Sequence, residues 1–212
     1  MSSMLFWSMI KPLLWLLPIF IIIAILKSPM FKGWFGEKLV EKVANHKLSN
    51  DIYHDFLNVT LPTDNGTTQI DHIYVSEFGI FVVETKNYKG WIYGKIKDAK
   101  WTQNIYGKKH YFQNPLRQNY KHIKTLEHLF GLTSDNFHSV IVFTGDCELK
   151  SNFPPNICRL GNFTNYILSF NEPKLDKNQI NQICQLLAEN RLEDTFETRQ
   201  HHIQNLKNQH RP

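Results

Sequence analysis

The chain has 212 residues, which is enough for one domain with a full hydrophobic core plus an accessory segment, but too few for two large domains. Hydrophobic residues make up 42% of the chain, charged residues 20% and aromatic residues 13%, and this composition excludes a disordered, collagen-like or acidic-tail protein. The net charge is +5, and the three cysteines, Cys147, Cys158 and Cys184, are too few and too widely spaced for a disulfide framework or a CxxC-type zinc site. They are typical of reduced thiols in a cytosolic setting.

Residues 4–26 are apolar apart from Ser8 and Lys11, and they are numerous enough to cross the roughly 30 Å of a bilayer's hydrocarbon core as a helix. We interpret the segment as an uncleaved transmembrane anchor, because residues 25–29 lack the small side chains that a signal peptidase requires. A cleaved signal peptide and a buried core helix are the alternatives. Five lysines follow in residues 27–47, so the positive-inside rule predicts a single-pass membrane protein whose C-terminal domain is cytoplasmic.

The first part of the remaining chain combines one helix with strands. The spacing of apolar residues predicts a helix over residues 33–43 and a strand over residues 51–61. Residues 69–75 and 80–86 are rich in β-formers and are joined by four residues that end in Gly79, which is the pattern of a β-hairpin.

The second part of the remaining chain also combines strands with helices. Short strands are predicted within residues 90–97 and 109–112, and an amphipathic helix is predicted to begin at Asn114-Pro115 and to end at Gly131. Further elements are predicted as a strand over 137–144, a strand over 156–160, a helix over 175–192 and a polar tail over 193–212. This order of elements predicts a mixed α/β domain.

Basic residues are concentrated in one stretch. Residues 86–124 carry ten Lys or Arg residues against Asp98 alone, whereas acidic residues outnumber basic ones in residues 27–85 and 125–212. The same stretch contains eight aromatic residues, namely Tyr88, Trp91, Tyr93, Trp101, Tyr106, Tyr111, Phe112 and Tyr120. Cations interleaved with rings are expected on a nucleic-acid-binding surface. The alternative is a solvated face whose rings belong to a strand core. The candidate nucleic-acid-binding residues are Lys89, Lys95, Lys97, Lys100, Lys108, Lys109, Arg117 and Lys121.

The hairpin also brings acidic residues together. If Val75 pairs with Ile80, then Asp71 lies directly opposite Glu84, and two opposed carboxylates predict a bound divalent cation such as Mg²⁺. The alternation of a strand places Lys86 on the same face as Glu84. This set is suited to phosphodiester hydrolysis, although an exposed hairpin face with a Glu/Lys pair is the structural alternative.

Several ordered motifs resemble one protein family. These are Gly33-x-x-Gly36-Glu37, Gln69-Ile70-Asp71-His72, Gly79 to Asn87, Gly90, Trp101 and Asn114-Pro115-x-x-Gln118-Asn119. Over about residues 33–130 the chain resembles the nuclease-related domain (NERD), a branch of the PD-(D/E)xK nuclease superfamily. The resemblance implies a restriction-endonuclease-like mixed sheet flanked by helices.

The same resemblance implies roles for individual residues. Asp71 and Glu84 would hold Mg²⁺ or Mn²⁺, and Lys86 would position the attacking water. Glu37 would be the additional acidic residue beside the metal, and Gln118 would serve as the glutamine of a helical motif similar to that of RecB-type nucleases.

The sequence thus predicts four parts, namely an anchor (4–26), a nuclease-related core (33–130), a completion of that domain (131–192) and a tail (193–212). The leading hypothesis is a membrane-anchored, metal-dependent nuclease acting on DNA, with RNA open as a substrate. A non-catalytic, membrane-tethered nucleic-acid-binding or scaffold protein with the same fold is the alternative. A protein whose basic stretch contacts anionic lipid head groups is a third.

Overall fold

The computed structural model describes residues 15–64, 66–195, 197, 198, 200 and 204. Over these residues the chain forms two mixed β-sheets flanked by helices, which confirms the predicted mixed α/β class. The first part of the predicted membrane segment, residues 4–14, and most of the tail after residue 195 lie outside the described residues.

Two consecutive helices precede the sheets. Helix α1 (Leu17–Lys27) and helix α2 (Pro29–Lys47) meet at Ser28 with a bend of 61°. Ser28 caps α2 by accepting a hydrogen bond from the Phe31 N–H, and Pro29 occupies the first position of α2, where its missing N–H costs nothing. Helix α2 is therefore longer at both ends than the helix predicted over residues 33–43. In the described part of the chain, no helix alone has the length and apolar character for a membrane span, whereas the bent pair together has both.

Nine strands and three further helices follow among the described residues. The strands are β1 (His54–Thr63), β2 (Gly66–Ser76), β3 (Gly79–Lys86), β4 (Gly90–Tyr93), β5 (Lys100–Ile105), β6 (Lys108–Gln113), β7 (Phe137–Phe143), β8 (Cys147–Leu149) and β9 (Ile157–Arg159). The helices are α3 (Pro115–Phe130), α4 (Phe163–Leu168) and α5 (Lys177–Asn190), with a short 3-10 turn at Ser134–Asn136.

The first sheet has the strand order β1-β2-β3-β7-β9. Its central hairpin has the predicted register, because Val75 pairs with Ile80. The turn is tighter than predicted: Ser76 and Gly79 pair with each other, and Gly79 has a φ of 118°, which favours glycine. Strand β7 continues the sheet in parallel beside β3, so the chain beyond residue 131 contributes to the same sheet as the hairpin.

The second sheet has the order β6-β5-β4-β8 and packs beside the first. The sequence prediction omitted β5 and β8. Strand β5 is polar, and only Trp101 of its side chains is buried. Trp101 and Ile92 lie in one apolar cluster with Ile141 and Phe143 of the first sheet, so this contact joins the two sheets.

Helices cover both faces of the first sheet. On one face, α3 and α5 bury Leu126 and Leu187 against β2 and β3, and on the other face α2 and α4 bury Val40 and Ile167. Helix α3 has the predicted limits, because the Asn114 side chain caps its start and Gly131 ends it in a left-handed conformation.

Candidate active site

Strands β2 and β3 separate next to the predicted carboxylates. Their ladder runs from Ser76–Gly79 to His72–Val83, one pair short of Asp71 and Glu84. Beyond that point the Thr85 N–H donates to Oδ2 of Asp71 at 2.7 Å. This hydrogen bond ties Asp71 to the residue after Glu84, and the directly opposed Asp71–Glu84 pair that the register suggested is not part of the ladder.

Glu84 and Lys86 remain on β3, which is paired with β7 up to Lys86. The Lys86 ammonium donates to Oε1 of Glu84 at 2.5 Å and to Oε1 of Gln118 at 2.9 Å. Glu84 is only 2% exposed, whereas the side chain of Lys86 is 17% exposed. The fold thus brings Glu84, Lys86 and Gln118 together, although Gln118 lies 32 residues further along the chain, on α3.

The second oxygen of Glu84 is held by a residue that the sequence analysis did not assign. His122 Nε2 lies 3.2 Å from Oε2 of Glu84, and His122 Nδ1 lies 2.7 Å from the Thr68 hydroxyl. Because an ionised carboxylate only accepts, Nε2 carries a proton and donates to Oε2 of Glu84, and the Thr68 hydroxyl is the partner of Nδ1. The sequence did contain a signal that His122 belongs to the site, since Gln118 and His122 are four residues apart and share one face of α3.

The electrostatics distinguish the three charged groups. Burial, followed by the charges of Glu84 and Glu37, raises the pKa of Asp71 well above its usual value. Burial would also raise the pKa of Glu84, but Lys86 and His122 outweigh it and hold that pKa below its usual value. Burial would lower the pKa of Lys86, but Glu84 and Asp71 raise it on balance, so Lys86 is a cation. Asp71 is therefore the carboxylate whose negative charge is least compensated.

Glu37 reaches this region because α2 packs unusually close to the ends of β3 and β7. A Cβ atom at Gly36 would lie 2.8 Å from Oγ1 of Thr144 and 3.0 Å from Cβ of Asn87. The Asn87 side chain also donates to the Lys32 carbonyl of α2 at 2.7 Å. Gly36 thus permits the approach that brings Glu37 within electrostatic range of Asp71.

The oxygen atoms of Asp71 and Glu84 are ligands of the kind that Mg²⁺ prefers. Within the described ranges, no three or more His, Cys, Asp and Glu side chains are grouped as a metal-ligand cluster. Mg²⁺ does not require such a cluster, because it keeps several waters and binds through one or two carboxylates and the phosphates of a substrate. A cation beside Asp71 would also offset the repulsion that raises its pKa. Asp71 and Glu84 are the residues that could hold it.

The eight basic candidates are all exposed, but they form separate groups. The Arg117 guanidinium donates to the Lys97 carbonyl at 2.6 Å, which keeps the loop before β5 beside the start of α3 and hence beside Gln118. Lys121 lies one turn further along the same helix. Lys100 and Lys109 lie on the second sheet, where their cross-strand partners are Gln113 and Asn104.

The eight aromatic residues also divide into two groups. Tyr88, Trp101 and Phe112 belong to the apolar cluster between the sheets, so the interpretation of all eight rings as a binding surface is wrong for these three. The five exposed rings are Trp91, Tyr93, Tyr106, Tyr111 and Tyr120.

Comparison with known proteins adds an independent finding. A family model described as the nuclease-related domain matches residues 32–144. The chain is also similar to an uncharacterized protein of Bacillus anthracis, with 52% identity over 123 residues that cover 58% of this chain and 57% of that protein. The matched segment thus spans little more than half the length of this curated relative. No solved structure matches the chain.

Proposed function

Because this chain belongs to the nuclease-related domain (NERD) family, we propose that it is a divalent-metal-dependent nuclease that hydrolyses the phosphodiester bonds of DNA. Membership of the family indicates a nuclease-like function, and placement in the PD-(D/E)xK superfamily is consistent with it. The observation that carries the finer proposal is the convergence of Asp71, Glu84 and Lys86 at the end of β3, with Gln118 holding the ammonium.

Asp71 and Glu84 are the proposed ligands of Mg²⁺ or Mn²⁺, and Glu37 adds a third negative charge nearby. When bound, such a metal polarises a phosphoryl oxygen and acidifies a coordinated water. The Glu84 carboxylate is already oriented for metal binding, because Lys86 contacts one of its oxygens and His122 contacts the other.

Lys86 has the role of a positioned cation. The charges of Glu84 and Asp71 raise its pKa, which favours the protonated amine. An ammonium can donate a hydrogen bond to the attacking water and offset the negative charge that develops on the phosphoryl group. Gln118 fixes the ammonium for this purpose through its side-chain oxygen, 2.9 Å away.

The exposed basic residues support a polyanionic substrate. Lys97, Arg117 and Lys121 lie near the start of α3, close to the residue that holds Lys86. Phosphate contacts by such residues make binding sensitive to salt. We therefore expect affinity for DNA to fall steeply with ionic strength.

A membrane anchor completes the proposal. The apolar side chains of α1 are exposed on all sides, as expected for a helix surrounded by lipid, and the α1–α2 pair has the length and apolar character for a bent span. The lysines after residue 26 favour a cytoplasmic C-terminal domain. Flotation of the full chain with lipid vesicles at alkaline pH tests this part, and recovery of the protein in the unfloated fraction would contradict it.

The decisive experiment for the enzyme uses the full chain in detergent micelles, incubated with linear and circular DNA and with RNA in Mg²⁺, Mn²⁺ or EDTA. We expect cleavage in either metal, none in EDTA, and loss of cleavage in Asp71→Asn and in Lys86→Met. Asp55→Asn, which changes an exposed carboxylate on β1, is the matched control and should cleave as the unaltered chain does. Binding of DNA without cleavage in any metal would favour the non-catalytic alternative.

A further inference from the structure

The cross-strand pairing of the second sheet sorts its side chains onto two faces. Trp101 pairs with Phe112, and both lie in the cluster that faces the first sheet. The outward positions include Trp91, Tyr93 and Tyr111, which are 46%, 36% and 69% exposed. The second sheet thus buries the Trp101 and Phe112 rings on its inner face and exposes other aromatic rings on its outer face.

The three outward rings are neighbours on this face. Tyr93 pairs with Thr102, and Thr102 pairs with Tyr111, so the two tyrosines flank one residue from adjacent strands. At the usual spacing of strands they stand about 10 Å apart, and Trp91 stands about 7 Å from Tyr93 along β4. Tyr93 and Tyr111 at such a distance can each stack on a separate flat group, whereas the Lys150 ammonium lies over the Trp91 ring.

Cations surround these rings. Lys100 and Lys109 occupy outward positions of β5 and β6, and the Lys150 ammonium lies 5.0 Å from the centre of the Trp91 ring. Among the outward positions of the four strands, all of them described, Glu148 supplies the one carboxylate, and it is already paired with Lys150. The face therefore combines ring surfaces with positive charge, which matches a ligand made of flat bases and phosphates.

The face is also continuous with the proposed active site. Lys100 follows Ala99, whose carbonyl accepts from the Asn114 N–H at the start of α3. Within the first turn of α3, Arg117 binds the Lys97 carbonyl and Gln118 binds Lys86. Basic residues thus lead from the outward face around the edge of the sheet to the residues of the site.

We propose that the outward face of the second sheet binds single-stranded nucleic acid by stacking bases on Tyr93 and Tyr111, beside the Trp91–Lys150 pair. Stacking requires unpaired bases, which the side of a duplex does not present. The proposal rests on the proposed nuclease function, whose substrate it specifies as single-stranded or locally unpaired.

The test measures binding under conditions that prevent metal-dependent cleavage. Fluorescence anisotropy of a labelled oligonucleotide without self-complementarity, and of its duplex, is recorded with the full chain in micelles containing EDTA, so that no metal-dependent cleavage occurs. The variants Tyr93→Ala and Tyr111→Ala remove rings from the face, whereas Tyr93→Phe and Tyr111→Phe keep them. Tyr106→Ala is the matched control, because its ring is fully exposed on the β5–β6 turn, beyond the last pair of those strands.

We expect each alanine variant to bind the single strand about 5- to 100-fold more weakly, with duplex binding little changed. The phenylalanine variants and Tyr106→Ala should bind as the unaltered chain does. Unchanged single-strand affinity in both alanine variants would overturn the proposal, as would equal losses for the duplex or for Tyr106→Ala. The binding assay in EDTA separates the two proposals, because a chain that failed to cleave DNA in Mg²⁺ could still show the selective loss of single-strand affinity in the two alanine variants.

Discussion

The backbone N–H of Thr85 donates to the carboxylate of Asp71 at 2.7 Å, just beyond the last pair of the β2–β3 ladder. A side chain here takes the acceptor role that a backbone carbonyl has in a regular ladder. Strand β2 is irregular at this point, because its pairing with β1 omits Asp71 and Asn58, and Asn58 has a φ of 51°. Positive φ at a residue other than glycine is uncommon and often accompanies functional sites.

This hydrogen bond leads to opposite expectations for two substitutions of Asp71. Asp71→Asn keeps an acceptor for the Thr85 N–H and removes the charge that Glu84 and Glu37 repel, so without metal the variant should be more stable at neutral pH than the unaltered chain. Asp71→Ala leaves that N–H without a partner and should lower the free energy of unfolding by about 1–3 kcal/mol.

Thermal unfolding in EDTA and in Mg²⁺ checks both expectations. The unaltered chain should gain stability on addition of Mg²⁺, and neither variant should gain as much. Equal destabilisation by both substitutions, or a full response to Mg²⁺ in both, would contradict the role assigned to Asp71.

Gly36 offers a test of how Glu37 is positioned. In Gly36→Ala the new methyl group would lie 2.8 Å from Oγ1 of Thr144 and 3.0 Å from Cβ of Asn87, so these side chains or α2 itself must shift. We expect a loss of about 1–3 kcal/mol in the free energy of unfolding, together with slower cleavage. Gly33→Ala is the control, because it adds the same methyl group to the same helix in open space and should be neutral or stabilising by up to about 1 kcal/mol.

Chemical denaturation and cleavage assays of the two alanine variants test whether close packing of α2 positions Glu37. If Gly33→Ala and Gly36→Ala proved equally active and equally stable, close packing of α2 would not position the site.

The sequence was most informative where local pattern and chemistry agreed. The hairpin of β2 and β3 was predictable because alternating apolar residues and Gly79 fix both register and turn, and that register placed Asp71 near Glu84. Helix α3 was predictable because its capping residues, Asn114 and Gly131, enclose an amphipathic run.

The sequence was least informative where burial depends on distant residues. Strand β5 has little apolar character, and its one buried side chain, Trp101, is covered by the first sheet. The contact of Thr68 with His122 joins residues 54 positions apart, and no local pattern encodes it. The division of the aromatic residues into core and surface likewise required the register of β4, β5 and β6.

His122 is expected to act by orienting Glu84. His122→Phe retains a ring of similar size but removes the donor to Oε2, and changes of this kind typically cost 10- to 100-fold in metal affinity or activity. Thr68→Val removes only the hydroxyl at Nδ1 and should have a smaller effect in the same direction. Cleavage rates measured against Mg²⁺ concentration provide the readout.

A double-mutant cycle identifies the path of this effect. If Thr68 acts through His122, the variant that combines both substitutions should be no worse than His122→Phe alone. Additive losses would show that the Thr68 hydroxyl contributes independently of His122.

The buried His138 predicts how stability depends on pH. Its ring packs against Phe81 and Phe170, and its Nε2–H donates to the Phe78 carbonyl at 3.1 Å. Burial lowers the pKa of His138, and this effect, helped by Lys174, outweighs the opposing hydrogen bond to the carbonyl of Phe78.

Because the pKa is lower in the folded state, the unfolded chain binds more protons as the pH falls through about 6.5. The contribution of His138 to the free energy of unfolding is therefore complete above that pH. Below it, the contribution decreases by up to about 1.4 kcal/mol per pH unit until the lowered pKa is reached. In His138→Phe, unfolding by denaturant between pH 8 and pH 5 should show a weaker dependence on pH than in the unaltered chain. The pH 8 values serve as the internal reference, since His138 is neutral there in both states. An identical decrease in both proteins would mean that His138 does not set the acid sensitivity of the fold.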